Sequence, residues 1–319
     1  MDDSDHFSML IPDSLAGRRL DQALAALFPD YSRSRLQQWI REGRVSVDAR
    51  QMRPRDPVKG GERVEFTPVI ESEQIFEAES IPLDIVYEDE ALIVVNKPPG
   101  MVVHPAAGNW SGTMVNALLH HAPELSSIPR AGVVHRLDKE TSGLLVVART
   151  LSAHKHLVEQ LQARQFEREY EAVTTGVMTA GGTVKAPVGR HPSQRTRMAV
   201  VPGGKPAVTH YTVAQRYRAH TRIKVRLETG RTHQIRVHMA HIHYPIVGDP
   251  VYGGRLRIPP DSTDTLITIL QSFKRQALHA ACLGLIHPDT RTSMHWQAPL
   301  PDDMQALIDA LEQDKKAHE

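Results

Sequence analysis

The stretch H-R-L-D-K-E-T-S-G-L-L-V-V-A, residues 135–148, carries five ionisable side chains in its first six positions and then runs into an unbroken apolar segment. A short continuous apolar run of this kind reads as a core strand. Charged groups are almost never buried without a partner, so a carboxylate on the loop feeding such a strand is either solvated decoration or a positioned reagent.

Similar runs lie on both sides of it. D-I-V-Y-E-D-E and A-L-I-V-V-N-K-P-P-G precede it, and E-Y-E-A-V-T-T-G, A-V-T-H-Y-T-V, R-I-K-V-R-L-E and A-C-L-G-L-I-H follow. Each reads as a strand bounded by polar or turn residues. Helical patterns are expected around 153–164, 232–242 and 301–313. Strands succeed one another without regular helical crossovers, so the expected class is α+β with a mixed, mainly antiparallel central sheet.

The first 75 residues read differently. From Gly17 the spacing of Leu20, Leu24 and Leu27 predicts a helix that ends before Pro29. A second helix is expected from Ser32 as N-cap, with Leu36, Trp39 and Ile40 on one face. Arg33 and Arg35 then fall in its first turn, where the helix dipole disfavours cations, and something anionic should compensate them. E-G-R-V-S-V and V-K-G-G-E-R-V-E-F each read as a turn entering a strand. Residues 15–75 therefore form a small α/β module, 76–82 a linker within an acidic stretch, and 83–315 the larger domain.

The chain has 319 residues, 40% of them hydrophobic, with a formal net charge of +1. That near-neutrality conceals a separation: residues 128–257 hold 21 Lys and Arg against 8 Asp and Glu, whereas 62–90 hold one Arg against ten acids. A basic block of this size is the electrostatic footprint expected of a nucleic-acid binder. No apolar run approaches the roughly 20 residues needed to span a bilayer, and the M-D-D-S-D-H start is acidic where a signal peptide is basic, so a cytoplasmic protein is expected. Cys282, the single cysteine, permits no intrachain disulfide or thiolate cage and reads as a small buried apolar residue.

Four segments concentrate polar residues beside strands: N-K-P-P-G at 96–100, H-R-L-D at 135–138, R-E-Y at 168–170 and G-R-T-H-Q-I-R-V-H at 230–238. Singly, each has a bland structural explanation. Together, with G-K-P-A-V-T-H-Y and P-I-V-G-D-P-V-Y-G, they resemble the RluA-type pseudouridine synthases over about residues 80–300. The layout R-L-D-x-x-L, S-R-S-R, G-R-V-S-V and G-G-E-R-V similarly resembles the S4 RNA-binding domain. The resemblance implies the pseudouridine synthase fold and an isomerase that detaches uracil N1 from ribose C1′, turns the base and rejoins it through C5. Among members it is greatest to those acting on 23S ribosomal RNA, which implies that RNA or the large ribosomal subunit as partner, with the helix 69 hairpin as target.

Such a reaction needs no cofactor, and the sequence carries no nucleotide-binding glycine loop. The resemblance puts the family's catalytic carboxylate on Asp138, its arginine partner on Arg236, and its tyrosine, expected to stack on the uracil and to take the C5 proton, on Tyr170. Cleavage builds positive charge at the sugar and negative charge on the base, so a carboxylate beside C1′ suits it. Arg136 matches the residue that enters the stack vacated by the flipped base. RNA contacts are further implied for Arg33, Arg35, Arg44, Arg231 and His233, and Leu278 is a candidate for packing under the base. Lys139 and Glu140 are expected to be solvated.

Two rivals make different demands on the same residues. A non-catalytic S4-type ribosome assembly factor would not need Asp138, and an RNA N-glycosylase would leave abasic sites. The histidines at 233, 238, 241 and 243 lack the i, i+4 spacing with an intervening carboxylate that marks a helical zinc site, so no metal is expected. A monomer is expected.

Overall fold

The computed structural model describes residues 7–28, 33–66, 77–105, 108–194 and 196–319, without the side chains of Ser34 and Arg35. The chain divides into two compact units, 1–75 and 76–319.

In the first unit, β1 (Phe7–Leu10), α1 (Leu20–Leu27), α2 (Arg33–Arg41), β2 (Val45–Val47) and β3 (Arg63–Phe66) follow in that order. The strands form an antiparallel sheet ordered β1-β3-β2. Leu20, Leu24, Leu36, Trp39, Val64 and Phe66 fill one core beneath the helices. Helix α1 starts three residues later than the leucine spacing suggests. Gly17 N–H donates to Val58, and Arg19 bridges Pro57, so residues 17–19 are committed to the opposite strand segment. The sequence reading started the module at residue 15 and overlooked β1, which pairs along β3 and stacks Phe7 on Phe66 at 5.3 Å. The proposed cap Ser32 lies outside the described residues.

The second unit contains β4 (Ile85–Glu88), β5 (Leu92–Lys97), α3 (Met114–His121), β6 (Ser142–Ala148), α4 (Leu151–Gln162) and β7 (Glu167–Thr175). It continues with β8 (Gly182–Lys185), β9 (Val188–Arg190), β10 (Met198–Val200), β11 (Val208–Arg216) and β12 (His220–Leu227). Then come α5 (Gln234–His241), α6 (Asp264–Ser272), β13 (Leu278–Ile286), β14 (Ser293–Gln297) and α7 (Asp302–Lys316). Nine strands form one sheet ordered β4-β5-β6-β13-β7-β12-β11-β8, with β14 on the far end of β13. Among the described strands the β6–β13 pairing alone is parallel, and β9 and β10 form a separate hairpin. The architecture is α+β with a mixed, mainly antiparallel sheet.

The apolar runs are continuous because the central strands face two cores. Along β5, Ile93 and Val95 enter the larger core with α3, while Leu92 and Val94 enter a second core with α4. Along β6, Leu145 and Val147 face the first, and Leu144 and Val146 the second. Side chains alternate at period two, so burial on both faces removes polar residues from both registers. Gly143 marks the point of closest approach. It has φ +112°, and a Cβ there would lie 2.3 Å from the Ala280 carbonyl oxygen, so only glycine lets β6 meet β13 directly after the 135–142 loop.

Helix α3 was not anticipated, although T-M-V-N holds its capping signal: Thr113 caps the helix and Asn116 reaches back to the Thr113 N–H at 3.0 Å. Asn116 also donates to Glu77 and accepts from Glu79 N–H, pinning the end of the expected linker. Cys282 is half-exposed rather than buried, because β13 shifts register against β7 between Ala280 and Cys282. Among the described residues no helix is long and apolar enough to cross a membrane.

Candidate active site

Three backbone segments converge on a cavity of about 900 Å³: residues 102–105, 133–138 and 229–236, closed by Arg168, Tyr170 and Leu278 from the sheet. This is at the upper end of ligand clefts in size. Six arginines line it, against Asp138 and Glu228.

The 133–138 segment is built from β6. Val133 bridges Val147, and His135 Nε2 accepts the Val146 N–H at 3.2 Å, filling a ladder position. Burial, with Arg168 nearby, pushes His135 down to about 3, so the ring is a neutral acceptor. Leu137 anchors in the large core, and Thr141 N–H donates to the Asp138 carbonyl at 3.0 Å, turning the chain into β6. Asp138 is held half-buried at that turn.

From below, the turn rests on Lys97. Its fully buried ammonium donates to the carbonyls of Pro98, Met101 and Lys139 at 2.7, 3.0 and 2.9 Å. Burial lowers Lys97 to about 7, with Glu140 and Asp138 pulling the other way. N-K-P-P-G is thus more than a rigid turn, and this support was missed in the sequence. Lys139 is exposed as expected, but its carbonyl is a joint of the site, also accepting Gly100 N–H at 3.0 Å.

Arg236 reaches Asp138 from the first turn of α5, Nη1 lying 3.0 Å from Oδ2. Its other edge forms a fork with Asp249, Nε to Oδ2 at 2.7 Å and Nη2 to Oδ1 at 2.9 Å. Asp249 is fully shielded and also accepts the N–H groups of Val251 and Tyr252. Burial opposes its ionisation, but the Arg236 bonds and those N–H groups outweigh it and hold the Asp249 pKa below the ordinary value. The opposing Coulomb energy likewise raises Arg236 against the effect of burial. Asp249 went unassigned in the sequence, although it stands in the quoted P-I-V-G-D-P-V-Y-G motif. A buried arginine that presents one N–H edge to a half-buried carboxylate is stabilised by a second carboxylate on the other.

His233 caps α5 in the left-handed region, φ 56°. Tyr252 Oη accepts Met198 N–H and shares a hydrogen bond with His233 Nδ1 at 2.9 Å. Burial favours the neutral ring, whose Nε2 lies 3.8 Å from Asp138 Oδ1. His238 spends its two ring nitrogens on Thr209 and the Ala186 carbonyl.

Tyr170 is 6% exposed, on β7 opposite Ala280. Leu278 lies in the same wall and pairs with Ala172. Burial raises the Tyr170 phenol above its usual value, so it presents a neutral ring at pH 7. Arg136 is exposed at the cavity and forms no hydrogen bond or ion pair among the described residues. Arg231 is half-buried and donates to the Pro206 carbonyl at 3.2 Å.

In the first unit the anion that compensates Arg33 is internal. Fully buried Asp21 accepts Arg33 Nη2 at 2.7 Å, together with Arg19 and Gln37. Arg44 pairs with Glu42 at 2.9 Å. The Arg35 side chain lies outside the described residues.

The neutral state of His135 has a measurable consequence. The folded ring protonates near 3 and the unfolded one near 6.5, so the unfolded chain binds more protons between those values. Its stabilising contribution is complete above 6.5 and is lost as pH falls toward 3. Urea unfolding at pH 4.5 should show a lower midpoint than at pH 7, and His135→Gln, which keeps an acceptor, should flatten that difference. An unchanged slope would assign the proton uptake to other groups.

Comparison with known proteins follows the same residues. The RNA pseudouridylate synthase family model matches residues 91–241, and the S4 domain model matches 18–64. The chain is 57% identical to ribosomal large subunit pseudouridine synthase D of Pseudomonas aeruginosa, over 96% of each chain. It is 56% identical to the protein of that name from Escherichia coli K12, over 97% of this chain and 95% of the other. Among solved structures, human RNA pseudouridylate synthase domain containing 4 superimposes with a TM-score of 0.56 at 27% identity, over 72% of this chain and 92% of that one. A carboxylate held by a buried arginine in a basic cleft, on this sheet and with relatives of this identity, places the chain in the RNA pseudouridylate synthase family, with an S4 domain at its N-terminus.

Proposed function

We propose that this synthase isomerises uridines of 23S ribosomal RNA, in the helix 69 hairpin, acting as a cytoplasmic monomer without a metal or other cofactor. The observation that carries the mechanism is Asp138, ionically tied to Arg236 at 3.0 Å and open to a basic cavity with Tyr170 in its wall. The names of the most similar relatives support the choice of large-subunit RNA.

The target uridine must leave the RNA stack to reach Asp138, at a cost of a few kcal/mol. Arg136, exposed and unpaired, fills the gap with a flat cation that both stacks and donates. Tyr170 and Leu278 receive the base between them. Asp138 meets the positive charge at the sugar, either by adding to C1′ or by removing the C2′ proton, while Arg236 keeps it aimed. Tyr170 serves better as a stacking ring than as a base, because a phenol above pKa 10 holds less than about 0.1% phenolate at pH 7. Arg231 and His233 border the nucleotide, and the S4 unit, through Arg33, Arg35 and Arg44, adds RNA contacts.

Tritium release from uridine-5-³H-labelled 23S RNA tests the reading, since the C5 hydrogen is lost only when C5 is rejoined to C1′. Release, with carbodiimide-dependent primer-extension stops in helix 69, is the expected result. No release from bare RNA or large subunits would favour an assembly factor, and aniline-sensitive abasic sites an N-glycosylase. The basic cavity also predicts affinity falling steeply with salt, log Kd changing by about 0.7–0.9 per log unit of salt for each phosphate neutralised. A flat salt response would remove the basic face from the account.

A further inference from the structure

Among the described arginines of the cleft, Arg136 is unpaired but exposed, whereas Arg168 is unpaired and half-buried. Buried Arg236 faces carboxylates. Arg164 reaches Glu228 at 3.5 Å. Half-buried Arg168 forms no hydrogen bond or ion pair among the described residues, and its Nε is shielded from solvent without an acceptor. A half-buried guanidinium that meets no protein acceptor, in the wall of a cavity, leaves its accessible donors to a ligand held there.

Its location indicates which ligand. Arg168 precedes Tyr170 by two residues on β7, so both side chains leave the same face of the strand, and both line the cavity. The guanidinium tip packs against Gly230, where an added Cβ would fall 2.9 Å from Nη1. Gly230 does not have a positive φ, so the space for Arg168 is what a side chain there would take. The charges around it are already answered: His135 and Tyr170 are neutral, and Asp138 is matched by Arg236. Arg168 is therefore an uncompensated positive charge in the wall that receives the base.

We propose that Arg168 is a catalytic residue that donates to a uracil carbonyl oxygen and stabilises the base anion during glycosidic cleavage. This rests on the isomerase reading above. When N1–C1′ breaks, the bonding pair leaves with uracil and spreads over N1, O2 and O4, while Asp138 bonds C1′ or takes the C2′ proton. After the base turns, C5 bonds C1′ as the Asp138–C1′ bond breaks or the proton returns to C2′, and C5 then gives up its own proton while N1 gains one. The negative charge exists only between those two bond changes, so a preorganised cation at a carbonyl favours the transition state over the ground state. A phosphate is the weaker candidate, because half-buried Arg168 stands two residues from Tyr170 in the wall that receives the base.

Single-turnover rates at saturating RNA, with Kd and its salt dependence, test this for Arg168→Met, Arg168→Lys and Gly230→Ala. The expected loss for Met is about 10²–10³-fold in rate with Kd within about threefold of wild type. Lys should retain part of the rate, and Gly230→Ala, which crowds the cation without removing it, should slow the reaction with the melting temperature kept. RNA bearing 5-fluorouridine, which has no C5 hydrogen to release and is followed instead by the rearranged nucleoside found after digestion, should narrow the Met penalty, because fluorine already stabilises the base anion. A weakened Kd with a salt slope reduced by one phosphate would mean phosphate binding and overturn the proposal. So would an equal penalty on both RNAs, or a loss explained by lowered thermal stability. If wild type itself releases no tritium, the isomerase reading has failed instead.

Discussion

Asp138→Asn should slow tritium release by about 10⁴-fold while the protein melts almost as wild type. Both halves follow from the same geometry. Arg236 keeps its fork with Asp249 whatever stands at 138, and an asparagine oxygen can still accept the Nη1 bond, so little packing or pairing energy is lost. An amide, however, neither adds readily to C1′ nor takes a proton from C2′. Rate should be read under single turnover, with thermal unfolding by circular dichroism as the control. Release within tenfold of wild type would remove Asp138 from the chemistry, and a large fall in melting temperature would make it a structural residue.

Asp249→Ala should show the reverse balance. Its carboxylate is fully shielded and takes two of the Arg236 bonds, so truncation leaves a buried guanidinium partly unpaired, at about 3–5 kcal/mol. Urea unfolding should record that loss, and turnover should also fall because Arg236 is no longer held from behind. Replacing the pair together, Asp249→Leu with Arg236→Met, separates the two effects. The apolar pair should recover much of the stability, since well-packed apolar residues can match a buried ion pair, yet remain deficient in turnover. Full activity in the stable double variant would show that Asp138 needs no aiming.

The sequence was most readable where burial dictates composition. Strands β5 and β6 stand out as apolar runs because both their faces are covered, and helix α7 by its spacing. Strand β1 did not, since four residues behind an acidic start show no period, and its existence depends on pairing with β3 more than 50 positions away. The same division holds in the site. Asp138, Tyr170 and Arg236 were placed by motif resemblance, and the structure brings Asp138 and Arg236 into contact across 98 positions and sets Tyr170 in the same cavity wall. Lys97 and Asp249 escaped because a lysine in a proline turn looks solvated until three carbonyls are seen around it. For Arg33 the physics was legible before the partner was: a cation in a first helical turn requires an anion, and the fold supplies Asp21 twelve residues earlier.

Strand β6, clamped between two cores, also decides which component of the reaction does the moving. Local opening of a segment requires releasing its buried contacts, and elements buried on both sides open only near the global unfolding free energy. Asp138 emerges directly from such an element, five residues before Gly143 locks against β13. The Asp138 carboxylate therefore has no low-energy excursion through which to search for a substrate. On the proposed reaction the conformational work falls on the other partner: the nucleotide is the hinged part, swinging out to a reagent that waits in one place.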